Sequence, residues 1–351
     1  MSRRLIVAIP LLSLVALLAW IFRPRHESLG EAFVSDQSVM LWSSVAQVRQ
    51  SLATLHYGEK VEVLSRRNDN YRVRTAAGTV GWVDGRLLME PSLWQRSAQL
   101  LAKTRSMPVQ ARGRTKVSTN LRVEPGRTQP RLYQFARGAS VDIIGRAVAD
   151  WVQATDERET SSEPQETKKE DWFLIRGLAS RASAEATTRN NENPAVGEVT
   201  DQPLPVAGWV VARFVELDLP DAVREGTAVA NIRPLAWFVL NRVPNPSGDK
   251  AQYLVAGIRG PEGQSCDFTM LRVYTWNLKR SRYETAFIEN GLCGRLPVTL
   301  DKGPKDEPEF RFQTETNEER TYRLIQTVVR RVRKGEPAGS RQAGPARPAT
   351  R

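Results

Sequence analysis

Two histidines, His26 and His56, and two cysteines, Cys266 and Cys293, set narrow limits on the chemistry these 351 residues can perform. A zinc site takes several histidine, cysteine or carboxylate ligands converging on one ion. A cysteine hydrolase needs a histidine beside its nucleophile to draw off the thiol proton. Both histidines precede residue 57 and both cysteines follow residue 265, so neither constellation is written locally. There is no Gly-x-Ser-x-Gly elbow and no phosphate-cradling glycine loop. Glycoside hydrolysis by paired carboxylates needs no histidine, but no Asp/Glu pair stands out. No metal and no cofactor is expected. For the cysteines two readings stand: two small buried thiols or, in an exported protein, a disulfide. The disulfide is the reading we take; it would close a loop of about 28 residues and contribute on the order of 3–4 kcal/mol.

The elements that would position any ligand-binding side chain are β-strands. Around Gly58 the chain turns and then places Val61 and Val63 at alternate positions, the pattern of a half-buried strand. Tyr71 and Val73 alternate in the next run, a turn follows at residues 76–78, and Gly81-Trp82-Val83 returns. The same text recurs downstream. Gly138 with Val141 and Ile143 matches Gly58 with Val61 and Val63, and Phe173, Ile175 and Arg176 match Tyr71, Val73 and Arg74. Gly208-Trp209-Val210 then matches Gly81-Trp82-Val83. This is an internal repeat. Asn120-Leu121-Arg122 opens the second copy, and Gln47-Val48-Arg49 is the nearest counterpart in the first.

In this order, twice, these motifs resemble the bacterial SH3 (SH3b, or SH3 type 3) family. Its pattern is an Asn-x-Arg start, a Gly-x-x-Val-x-Val strand, an aromatic strand and a closing Gly-Trp-Val. The resemblance covers about half the chain and implies small β-barrels that bind cell-wall peptide or a protein. It makes Tyr133 and Phe135 ligand-binding candidates, because the corresponding long loop in the family contributes to peptide binding. Trp82 and Trp209, expected to close a small core or to wall a groove, join the candidates with Tyr71 and Trp172 from the aromatic strands. Packing is the competing role for all six.

The second copy is interrupted by polar stretches at 153–170 and 179–205, too poor in apolar residues to offset their ordering entropy. Residues 91–110 read as a helical linker. Beyond residue 226, seven β-branched and aromatic runs separated by turn clusters, one of them at residues 290–294, suggest an all-β domain to about residue 333. A basic, disordered tail follows at 334–351.

At the other end, residues 5–22 carry no charge, with Arg3 and Arg4 before them and Arg23 and Arg25 after. The run reads as an uncleaved signal anchor within residues 1–25; a cleaved signal peptide is the next reading. The formal charge of +12 gathers in tails and linkers. Residues 330–351 hold seven Arg/Lys against Glu336, and residues 91–137 hold ten basic side chains against Glu124. A nucleic-acid surface would place its cations on one folded element with base-reading side chains, so no nucleic-acid partner is expected.

The sequence therefore describes a mainly β chain: an N-terminal transmembrane helix, two small SH3-like β-barrels (36–90 and 111–218) joined by a short helix, and a C-terminal all-β domain (226–333). The expected location is the inner membrane, single-pass, with the bulk in the periplasm or outside. The expected role is non-enzymatic, binding peptidoglycan peptide or an envelope protein. The alternative is a carboxylate-based wall hydrolase with its activity in residues 226–333.

Overall fold

The computed structural model describes residues 28–151, 168–180 and 202–332. The chain is mainly β, with three seven-stranded antiparallel sheets. Among the described residues there are two α-helices, α1 (Pro91–Arg105) and α2 (Asp221–Val229). Among the described residues, those up to Pro91 make one compact unit, and those from Ser92 onward make a second that holds the other two sheets.

The first sheet comprises β1 (Gly30–Val34), β2 (Ser38–Trp42), β3 (Ser51–His56), β4 (Lys60–Arg67), β5 (Asn70–Arg74), β6 (Val80–Asp84) and β7 (Leu88–Met89), with a 3₁₀ turn at Gly85–Leu87. Its strand order is β3-β2-β6-β5-β4-β1-β7. One core draws Ala32, Val39, Leu41, Leu55, Val61, Val73 and Val83 from six of these strands, so the sheet curls around it.

The second sheet repeats the plan with β8 (Ala111–Thr115), β9 (Thr119–Arg122), β10 (Arg131–Phe135), β11 (Ser140–Asp150), β12 (Lys169–Ala179), β13 (Leu204–Val211) and β14 (Val215–Leu217). Its order, β10-β9-β13-β12-β11-β8-β14, is the first order shifted by seven, and a 3₁₀ turn again precedes the last strand. The repeat extends to single contacts. Gly58 and Gly138 both adopt positive φ, 77° and 83°, and donate their N–H groups to Val34 O and Thr115 O. Glu62 stands opposite Arg74 and binds it at 2.8 Å; Asp142 stands opposite Arg176 at 3.8 Å.

The third sheet is a plain meander of β15 (Arg233–Val243), β16 (Lys250–Ile258), β17 (Phe268–Asn277), β18 (Arg282–Lys302), β19 (Pro308–Thr314), β20 (Glu319–Ile325) and β21 (Val328–Val332). One face buries Leu254, Phe268, Leu271, Phe310, Phe312 and Tyr322. The other face receives α2, whose Val223 packs on Val255 and Tyr274. Cys266 and Cys293 form the disulfide, joining the loop before β17 to β18. The run at 290–294, read from sequence as a turn, lies inside the 21-residue β18. The extra turn falls instead at Gln326, with φ 56°, and separates β20 from β21.

Gln110 ties the second sheet to the third. It is fully buried, and its side-chain carbonyl accepts Val298 N–H (2.8 Å) while its amide donates to Val298 O (3.2 Å). Its backbone oxygen accepts Trp237 N–H at 3.0 Å. A single residue thus satisfies three backbone groups of the third sheet that would otherwise be buried without partners.

Several expectations are corrected here. Among the described residues no helix is long and apolar enough to cross a membrane, so the N-terminal transmembrane helix and the single-pass inner-membrane location are not supported. Residues 1–25 themselves lie outside the described residues, as does the tail 334–351. Strand β1 begins at Gly30, ahead of the expected start at 36. Strand β12 takes in Lys169, Glu170 and Ala179, and β13 takes in Leu204 and Pro205, so the polar insertions are shorter than 153–170 and 179–205. The counterpart of Asn120-Leu121-Arg122 is Met40-Leu41-Trp42, not Gln47-Val48-Arg49. Leu41 and Leu121 both fill the core at 0% exposure, and Trp42 and Arg122 face Trp82 and Trp209 in register.

Candidate functional site

Trp82 and Trp209 occupy matching places. Each follows a glycine that lets β6 or β13 lie against the neighbouring strand. A methyl group on Gly81 would sit 2.6 Å from Leu41 Cγ and 2.8 Å from Trp42 O; on Gly208 it would sit 2.7 Å from both Leu121 Cγ and Arg122 O. The alternation of a strand then sends Val83 and Val210 inward, at 1% and 0% exposure, and leaves each indole half-buried on the outer face. The core is closed by these valines, and the tryptophans wall the outside.

On the first sheet the outer face is a compact aromatic platform. Trp42 stands directly across from Trp82, and Arg72 flanks Trp82 on β5. The Arg49 guanidinium lies 4.2 Å from the centre of the Trp42 ring. Met40 (40% exposed) and Leu52 (43%) extend the apolar surface. Trp42 was not among the residues singled out from sequence, although the alternation of Val39, Leu41 and their outward neighbours could have marked it. The matching face of the second sheet carries Asn120, Arg122 and Trp209. Burial, then neighbouring Arg127 and Arg131, pulls the Arg122 guanidinium below its usual pKa, the effect of a gathering of cations.

The other sequence candidates are built into packing. Tyr133 and Phe135 are each 2% exposed and meet edge to face at 5.1 Å. The Tyr133 hydroxyl accepts Ser180 N–H at 3.1 Å, and the Phe135 ring fills the space a side chain at Gly177 would need. Trp172 is 1% exposed. Tyr71 packs on the inner core, on the opposite face of the sheet from Trp82, with its ring against Gly85.

A charged network that sequence reasoning missed joins the second sheet to the loop before β17. Arg146, on β11, has a fully buried guanidinium. It donates to Asp171, to Asp267 (3.4 Å), and to the backbone oxygens of Gln264 and Cys266 (2.9 Å each). Asp171 also accepts Gly263 N–H and binds Arg233, each at 2.9 Å. Next to it, buried Glu170 holds Arg127 and Arg213, both at 2.9 Å, and Arg213 reaches Glu262 at 3.3 Å. These partners lie up to 121 residues apart, so no local pattern announces them.

Three carboxyl groups in and beside the third sheet depart from ordinary behaviour, Glu318 among them, pulled down first by the hydrogen bond from Arg320. Burial pushes Asp267 up, opposed by Leu296 N–H and Arg146. Glu284 is pulled down to about 2 by hydrogen bonds from Asn277, Arg282 and Arg280. A glycosidase acid needs a raised pKa facing substrate; Asp267 is the raised group, and it is committed to Arg146 and Leu296 inside the network.

No protein-family model matches the chain, and no curated protein matches it. Among solved structures it is similar to NlpC1 from Trichomonas vaginalis (11% identity, TM-score 0.16, 53% of this chain and 45% of that one). It is also similar to an NlpC/P60 family protein from Bacillus cereus (12%, TM-score 0.21, 61% and 65%). NlpC2 from T. vaginalis matches at 8% identity and TM-score 0.17, over 84% and 94% of the two chains. The chain spans 45% and 65% of the length of the first two.

Proposed function

We propose that the chain is a binding protein whose two repeated units are bacterial-SH3-like modules that grip extended peptide, with cell-wall peptide the first ligand to test. The observation that carries this reading is the Trp42–Trp82 pair, half-exposed and side by side on the outer face of the first sheet with Arg49 stacked on it. Adjacent indoles offer rigid apolar area at small entropic cost, and the flanking arginines suit a ligand that carries carboxylates. The disulfide fits a protein that matures where thiols oxidise.

The test is co-sedimentation of the full chain with purified peptidoglycan sacculi at low salt, alongside Trp42→Ala/Trp82→Ala. Loss of a central aromatic pair costs about 2 kcal/mol or more, so the variant should bind roughly thirty-fold more weakly. Equal sedimentation of both proteins would refute the assignment of this face. If neither protein sediments, wall peptide falls and a protein partner replaces it. Release of soluble wall fragments in the same tubes would establish the hydrolase reading instead.

A further inference from the structure

A cleft of about 290 Å³ opens between the second and third sheets, on the far side of the charged network from Arg146. Its floor is apolar: Phe173, Val215, Leu217 and Leu235, none more than 9% exposed. Four cations line it, Lys116, Arg213, Arg224 and Arg233, against three carboxylates. Each carboxylate is already engaged. Asp171 lies between Arg146 and Arg233, Glu262 faces Arg213 (3.3 Å) and Arg233 (3.8 Å), and Glu216 faces Arg224 at 3.9 Å. One donor remains: the exposed Lys116 ammonium, which stands in no ion pair among the described residues.

We infer that this cleft binds a free carboxylate carried beside an apolar side chain, the chemistry of a peptide C-terminus. The argument rests on three properties of the lining. The Lys116 ammonium has no counter-ion among the described residues, and a ligand carboxylate supplies one. The surplus of one cation over the wall carboxylates balances a single negative charge, whereas a dianionic phosphate would meet repulsion from Asp171, Glu216 and Glu262. The volume lies at the small end of ligand pockets, roughly 300–1,000 Å³, which leaves room for one apolar side chain and its carboxylate over the floor. This site owes nothing to Trp42 and Trp82, so it goes beyond the function proposed above.

The test is calorimetric titration of the full chain with acetyl-Ala-Leu bearing a free C-terminus, with its C-terminal amide, and with inorganic phosphate. The free acid should saturate, and the amide should bind about tenfold more weakly or worse. Lys116→Gln and Arg224→Gln alter exposed side chains, so both should keep the native melting temperature while weakening the acid several-fold. Trp42→Ala/Trp82→Ala should bind the acid as the native chain does, which separates failure of this cleft from failure of the aromatic platform. Equal affinity for acid and amide overturns the proposal. So do phosphate binding as tight as the peptide, unchanged affinity in both charge variants, and no saturation by about 10 mM acid, where an affinity near 1 mM would already be evident.

Discussion

Arg146→Ala would remove a guanidinium whose side chain is 0% exposed and which serves four acceptors. Asp171 would retain Arg233 and Gly263 N–H, and Asp267 would retain Leu296 N–H. The oxygens of Gln264 and Cys266 would lose this donor outright. Breaking a buried ion pair from one side costs about 3–5 kcal/mol, and each orphaned buried acceptor adds about 1–3. These losses are not additive, so we take about 4 kcal/mol for the unit formed by residues from Ser92 onward. For a body of this size 1 kcal/mol shifts the melting temperature by roughly 2–4 °C, so the transition should fall by about 8–16 °C. Urea unfolding followed by circular dichroism checks the same figure through the midpoint, and Arg146→Lys should fall between native and Ala. Because Asp171 and Arg146 touch, Asp171→Asn on the alanine background should cost about 2 kcal/mol less than on the native one. A loss below about 1 kcal/mol for Arg146→Ala, the range of exposed ion pairs, would refute the idea that this guanidinium holds the second and third sheets together.

The repeat predicts paired outcomes. Gly81→Ala and Gly208→Ala each force a Cβ within 3.0 Å of a leucine and a backbone oxygen, so each should cost roughly 1–3 kcal/mol; a neutral result in one copy alone would show that the two close approaches differ. Glu284 carries a sign for pH. Its folded value of about 2 lies below the ordinary 4.5, so its contribution is present above pH 4.5 and is lost as pH falls toward 2. Carboxyl NMR should place its midpoint near 2, and Glu284→Gln should make the acid limb of the stability curve shallower; an unchanged slope would contradict the hydrogen-bond cluster of Asn277, Arg280 and Arg282.

The repeat was legible because its motifs are dictated by packing. Gly58 and Gly138 are needed for a positive φ, Val61 and Val141 for the core, and Gly81 and Gly208 for strand approach. The start of the first copy was not legible, since Met40 and Trp42, where the second copy has Asn120 and Arg122, sit on an outer face where the core imposes nothing. For Tyr133 and Phe135 the sequence left binding and packing both open, because loop composition does not reveal that a ring is buried against Gly177. The cluster at 290–294 bends the strand rather than ending it: Gly291 takes a positive φ of 69°, and the register with β17 breaks between Gly294 and Asn290. Gly294 is there so that the Phe268 ring can lie where a side chain would be, 2.2 Å from the position of its missing Cβ, and the strand runs on through it. The arginine network and the cleft join residues far apart in the chain, so periodicity carried no trace of them.

Gln110 has a consequence for heredity and for the bench alike. Because its amide closes two backbone valences of Val298, residues 233–332 are not a portable piece. Transplanted without the segment that carries Gln110, the meander would arrive with an open wound in its interior, so the second and third sheets must be inherited, moved and expressed together.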